Sequence, residues 1–405
     1  MKVWLSVIGL FLFVSIPAFC QVNLSVPSDI SQIFQSTAEM KEYTRLSITH
    51  FLLSMFWHIA ILLIFLQSGL ASRLSLLVLK DSNSVVLRTA CYSIFLLLFT
   101  FALSLPLNIW GDFYLDKSFG LTPEVLSAFL FRKVLSSLVS GVFAILVISI
   151  AMLIVNYFPK RWGILLGLFF ATLTTFQSLL APYYFEQNSS DLKPLDRPAL
   201  SARINRLLRK ADLEHVKVFV EKVSDRTCKL DGYVVGAGPS TCFVLYDTVL
   251  KALSDDEIEA LIAHEISHIE LGHLTRNVYE TMLLFLFAPM ILQLLMPYLV
   301  RIAPSKWALK DAKDLTVIPT VWLLFCISWL MILPIRNYNS RNFERQADSR
   351  AITLTEQPEG FMLELATFAR ANLNDFDPPP WAVSLLYSHP SPRERIEAAI
   401  KRAKQ

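Results

Sequence analysis

His264 and His268 stand four residues apart, with Glu265 directly after the first, in the run HEISH. On a helix, positions i and i+4 stack on one face, so both imidazoles can reach one metal ion. Glu265 then lies where a carboxylate can take a proton from a water held at that ion. Two His ligands and a Glu base are the working parts of zinc-dependent hydrolysis through a metal-activated water. A catalytic zinc keeps three protein ligands and one open position, so a third ligand must come from another element. Glu344 in NSRNFERQADSRA is the strongest candidate, and Asp348, one turn later, is suited to hold a ligand His through its second ring nitrogen. Each piece alone also has an ordinary reading, as paired surface histidines or a solvated helix carboxylate.

The histidines need a helix, and the sequence provides its start. Ser254-Asp255-Asp256-Glu257 reads as a capping box, with Ser254 as N-cap and Glu257 at N3. After it, Ile258, Leu261, Ile262, Ile266, Ile269 and Leu271 recur at helical spacing, which predicts a helix over 255–273. Spacing excludes the metzincin subclass, whose third His falls ten residues after the first. Here that position is Leu274, and His273 sits one residue short.

The chain is 54% hydrophobic and 18% charged, with a mean hydropathy of +0.48, too apolar for an ordinary soluble protein. Its apolar residues gather into blocks long enough to cross a bilayer, which takes about 20 residues. Six such blocks fall at 50–70, 89–110, 134–158, 162–182, 281–300 and 315–335. A further one, Val3–Cys20, reads either as a signal peptide or as a first transmembrane helix, which makes six or seven spans. His58 is the one obvious ionisable residue inside these blocks, and a neutral His bonded to a neighbouring helix accounts for it. A net charge of +3 without a basic block gives no sign of nucleic-acid binding.

Between and after the spans lie two polar stretches. Residues 186–278 open with EQNSSDLKPLDRP, continue with a helical run near 198–212, and hold strand-like segments at Val216–Val220, Asp231–Gly236 and Thr241–Tyr246 before the HEISH helix. The second stretch covers 336–405. The expected organisation is a leader or helix at 1–20, a membrane region at 21–185, a first catalytic part at 186–278, two spans within 279–335, and a second catalytic part at 336–405. Each polar piece alone is thin for a core, so they are expected to fold as one discontinuous unit on the membrane bundle. Five scattered cysteines form no CxxC. Cys228 and Cys242 share the polar part and could pair in an oxidising compartment.

Taken together, HEISHIELGH, Ser340-Arg341-x-x-Glu344-x-x-Ala347-Asp348 and Ser388-His389-Pro390 followed by Arg395 resemble the type I CAAX prenyl endopeptidases, the a-factor-converting enzymes. The similarity extends over PLNIWGDFYLDKSFGL at 106–121 and YDTVLKALSDDEIEALIAHE leading into the site. The resemblance implies a multi-pass α-helical membrane protein with a discontinuous α+β gluzincin-type zinc peptidase domain. One zinc would be bound by His264, His268 and Glu344, with Glu265 as general base. His389 and Arg395 would approach the scissile carbonyl and stabilise its oxyanion. Asp231, Gly232 and Tyr233 sit where the family has an edge strand that pairs with the substrate backbone. Three features depart from the family pattern: Ser267 in place of Gly, Asp231-Gly232 in place of Asn-Ala, and Cys228-Lys229 where a His is characteristic.

Loop charge bears on which side the site faces. Arg73, Lys80, Arg88, Lys160, Arg161, Arg301, Lys306, Lys310 and Lys313 fall on the face opposite the catalytic unit, against Lys41, Arg45, Lys117, Arg132 and Lys133 on its own face. By the positive-inside rule this bias favours an outward-facing site, whereas eukaryotic members of the family face the cytosol. The expected partners are therefore a lipid bilayer and a peptide or protein substrate, membrane-associated or lipidated. Narrow CAAX-type processing and broader membrane-protein quality control both fit. A metal-binding transporter or receptor is the alternative of another class, and the near absence of polar residues within the spans argues against it.

Overall fold

The computed structural model describes residues 34–78, 82–188, 191–236 and 241–404. The ambiguous Val3–Cys20 segment lies outside them. The chain forms α1 (Ala38–Gln67), α2 (Leu70–Leu77), α3 (Val85–Ile109), α4 (Leu126–Tyr157) and α5 (Trp162–Asn188). After β1 (Leu192–Pro194) come α6 (Pro198–Lys210), β2 (Lys217–Glu221), β3 (Gly232–Val235) and β4 (Cys242–Tyr246). The remaining elements are α7 (Asp247–Ala252), α8 (Asp255–Glu270), α9 (His273–Ile302), α10 (Val317–Thr355), α11 (Pro358–Ala371), α12 (Pro380–Leu386) and α13 (Pro392–Ala403).

Among the described residues, α1, α3 with its continuation to Ser118, α4, α9 and α10 are each long and apolar enough to cross a membrane. In α5, Trp162–Ser178 is apolar as well. These six helices coincide with the six apolar blocks. One core of the bundle joins Leu62, Phe65 and Leu66 of α1 to Tyr92 and Leu96 of α3, Met152 of α4 and Leu323 of α10. The same core takes in Ala71, Trp162, Leu309 and Leu315, so the loops after α1, α4 and α9 meet at one end of the bundle. At the other end Ser36 donates to Asp375 at 2.5 Å, Thr44 donates to the Leu373 carbonyl, and Lys229 pairs with Asp116 at 2.7 Å. That end carries the sheet and the helices packed on it.

The sheet has the order β1-β2-β4-β3, with β2 and β4 parallel and both outer pairs antiparallel. β3 is therefore an edge strand. One sheet face, with Phe243 and Leu245, packs on Ile258, Ile262 and Ile266 of α8, and the same core includes Leu200 and Ile204 of α6, Phe361 of α11 and Ile396 of α13. Chain from before α9 and after α10 thus shares one hydrophobic interior. Its main driving force is burial of such side chains, each contributing roughly 1.5–3 kcal/mol.

Two helix boundaries differ from expectation. α8 begins at its capping box, with Ser254 Oγ accepting from the Glu257 amide and the Glu257 carboxylate accepting from the Ser254 amide. It stops at Glu270 rather than 273, because Gly272 takes φ of 72° and ends the helix as only glycine does at little cost. His273 then starts α9. The apolar block at 315–335 and the start of the polar stretch after it form one 39-residue helix, α10, about 58 Å long at 1.5 Å per residue. The Cys228–Cys242 pairing does not form.

Candidate active site

α8 and α10 lie side by side and bring their polar residues together. His264 Nε2 is 3.0 Å from His268 Nε2 and 3.2 Å from Glu344 Oε2, and His268 Nε2 is 3.5 Å from Glu344 Oε1. One ligand atom from each of the three residues lies within 4.8 Å of the others. Glu344 is buried and its Oε2 has no hydrogen-bond partner. His264 turns Nδ1 to Asp348 Oδ1 at 2.9 Å. An imidazole that donates from Nδ1 presents a lone pair at Nε2. Lone pairs of two imidazoles and a carboxylate then converge, and a cation relieves their repulsion. The donor set of two nitrogens and one oxygen fits zinc.

Burial opposes a charge on His264, yet the Asp348 and Glu344 carboxylates outweigh it and push its pKa up to about 10. A metal and a proton therefore compete for its Nε2 lone pair. His268 is pushed down to about 3 by burial and by the neighbouring His264. Burial raises the Asp348 carboxyl, but Arg395 and His264 reverse this and hold it at about 2. In Glu344 the effect of burial is likewise overcome, by His389, His264 and Arg395, and its carboxyl lies well below the usual range. Glu265 behaves in the opposite sense. It is enclosed yet keeps partial solvent access, and burial pushes it up to about 7, with His264 opposing and Glu344 and Asp231 adding to the rise.

His389 reaches the cluster from the segment between α12 and α13. Its Nε2 is 3.4 Å from Glu344 Oε1, its Nδ1 is 2.9 Å from Ser388 Oγ, and its side chain is 56% exposed, so the ring borders open space. Arg395 projects from α13 and donates both arms of its fork to Asp348, at 2.8 and 2.6 Å, with Nη2 4.0 Å from Glu344. Asp348 thus stands between His264 and Arg395.

Asp231, Gly232 and Tyr233 form the start of β3 and the residue before it. A Cβ added at Gly232 would sit 3.1 Å from Leu245 Cδ2 and 3.4 Å from Leu261 Cδ2, so glycine permits the close approach of this strand to α8. The Tyr233 side chain lies on the other sheet face, beside Phe219 and Val244, and its hydroxyl donates to Glu221 at 2.9 Å.

Residues 194–403 match the model of peptidase family M48, just over half of the chain. The chain belongs to peptidase family M48. Residues 16–186 match a second model, described as CAAX prenyl protease N-terminal, five membrane helices. The chain is similar to the uncharacterized metalloprotease YhfN of Bacillus subtilis, 27% identical over 78% of this chain and 74% of that one. A CAAX prenyl protease 1 homologue from rice is 26% identical over the same shares of the two chains. The crystal structure of S. mikatae Ste24p has the same fold, with a TM-score of 0.78 over 92% of this chain and 90% of that one at 19% identity. This M48 chain is a multi-pass membrane metalloprotease.

Two residues near the site, His273 and Glu364, carry no functional signal of their own in the sequence, and a third, Arg341, carries only its place in a motif. His273 Nδ1 lies 3.1 Å from His268 Nδ1, and its ring stacks on Phe343 at 4.4 Å. One residue short of a metzincin ligand by spacing, it stands behind the second histidine instead. Glu364 of α11 is a buried carboxyl beside Arg395, raised to about 7 by desolvation despite that charge. Arg341 lies under α12. Only its spacing from Glu344 in the Ser340-Arg341-x-x-Glu344 motif hints at a role.

Proposed function

We propose that the chain is a zinc endopeptidase in which His264, His268 and Glu344 hold the metal. The observation that carries this reading is the convergence of their three ligand atoms, with Asp348 Oδ1 2.9 Å from the second ring nitrogen of His264. When bound, zinc supplies Lewis-acid activation of a water and of the scissile carbonyl. Glu265 takes the proton from that water and passes it to the leaving amine, and a carboxyl raised towards neutrality suits both transfers. His389, with its ring open to solvent, donates to the developing oxyanion. Arg395, paired with Asp348, adds positive charge behind it. Substrate binds as an extended strand along the free edge of β3, so main-chain pairing presents the scissile bond to α8.

The test is peptide cleavage by purified protein, wild type against Glu265→Gln, before and after complete removal and return of zinc. Equal cleavage by both proteins, or cleavage that survives zinc removal, overturns the reading.

We infer further that the site faces outward. In the sequence, nine cationic residues fall in segments joining the spans on the side away from the catalytic unit, against five on its own side. Membrane or exported proteins are then the substrates, in preference to the lipidated cytosolic proteins that the CAAX name of the rice relative suggests. A topology reporter fused after Gln405 checks the orientation, and a cytoplasmic signal reverses it. Comparing membrane and exported protein termini between cells with active enzyme and with Glu265→Gln separates narrow processing from quality control.

A further inference from the structure

Arg341 is a buried cation, 7% exposed, and among the described residues no carboxylate lies within salt-bridge distance of it. Its charge is met by backbone. Nη1 donates to the Val383 carbonyl at 2.8 Å and the Tyr387 carbonyl at 2.7 Å, and Nη2 donates to the Ser384 carbonyl at 3.2 Å. One turn earlier, Asn337 Nδ2 donates to the Leu385 carbonyl at 3.0 Å. These four acceptors are the last carbonyls of α12 and of the residue after it, which have no partners within the helix and carry its negative end. A guanidinium fork with its donors in a fixed plane suits such a cluster of oxygens.

The short bridge Tyr387-Ser388-His389-Pro390 leads out of α12, after which Ser391 caps α13. His389 hangs in that bridge, and both flanking helices are tied to α10. Arg341 and Asn337 hold α12, while Asp348 holds α13 through Arg395, and Arg345 holds it through Glu394 at 2.8 Å. Asn337, Arg341, Glu344 and Asp348 are spaced four, three and four residues apart, which places them on one face of α10, and all four are buried.

We propose that Arg341, seconded by Asn337, is a positioning residue for catalysis: it locks the end of α12 so that His389 stands beside Glu344 at the site. The inference rests on the role given to His389 above. Arg341 touches neither ligand nor substrate; it acts through α12.

A double-mutant cycle with His389→Ala tests this, read as kcat, KM and zinc affinity by chelator competition. Arg341→Met is expected to lower kcat by about ten- to a hundredfold with KM and zinc affinity nearly unchanged, since a displacement on the order of 1 Å costs that much. In the His389→Ala background the same change should cost almost nothing, because the group it positions is gone. Arg341→Lys, with one donor centre in place of a fork, should recover part of the loss. Equal losses in both backgrounds would show a structural role only and overturn the proposal, as would full activity of Arg341→Met. If Arg341→Met does not fold, Asn337→Leu removes a single bond and runs through the same cycle with the same criterion. Wild-type kcat in His389→Ala alone would remove the role of His389, and with it this inference, while leaving the metal and Glu265 assignments to their own test.

Discussion

At the site each charge is set by its neighbours, and substitutions there separate binding from chemistry. Glu265→Gln keeps the size of the side chain but cannot take a proton. Peptide cleavage should fall by at least about 10²–10⁴, with zinc content by metal analysis unchanged. Asp348→Asn weakens the acceptor at His264 Nδ1 and frees Arg395, so zinc affinity measured against a chelator should drop about 10–100-fold. Glu364 makes a prediction about stability, and its sign comes from its raised pKa. Below about 4.5 the carboxyl is protonated in folded and unfolded chains alike. Between there and about 7 the unfolded chain releases a proton that the folded one keeps, so stability falls as pH rises through that window and stays lowered above it. Glu364→Gln should therefore stabilise the protein at pH 8 by at most about 3 kcal/mol and do little at pH 4.5, read as thermal unfolding in detergent.

The elements explain why these side chains meet. α8 is fixed at its start by Ser254 and at its end by Gly272. Ser254→Ala should cost about 1 kcal/mol by removing the cap, measured as a lowered unfolding midpoint with chemistry intact. The periodicity of 255–271 is legible in the sequence because apolar spacing and capping chemistry are both local. The pattern overshoots the end of the helix by three residues, since the left-handed turn at Gly272 interrupts a periodicity that runs on through His273. β1, three residues ending at Pro194, lies in a stretch that reads as a loop, whereas β2, β3 and β4 are legible to within a residue for a similar reason. Their order, with β3 at the edge, is not, because pairing depends on residues far apart in sequence. The clamp of Arg341 on α12 is equally hidden, as its partners are backbone carbonyls with no sequence signature.

In the whole molecule, the membrane helices and the catalytic unit share covalent scaffolding. α9 leaves directly from the end of the histidine helix, and α10 runs unbroken from the bundle to Glu344 and Asp348. The core around Phe243 and Ile262 takes Phe361 and Ile396 from beyond the spans. Residues 186–278 expressed alone should therefore lack a cooperative unfolding transition by circular dichroism, because that core loses its partners.

By itself the sequence determined the metal chemistry, the membrane character and the family, because HEISH, the apolar blocks and the spaced motifs each encode their meaning within a few residues. It pointed to Glu344 by residue type and to His389 through resemblance, since the nearness of either to His268 is not local. Only the tertiary structure decided the rest: that Arg395 grips Asp348, that His273 stands behind His268, that Cys228 and Cys242 do not pair, and that Arg341 holds the helix before His389. Those relations come from the packing of α8, α10, α12 and α13, where contacts between distant segments are fixed by the fold as a whole and leave no periodic trace in the chain.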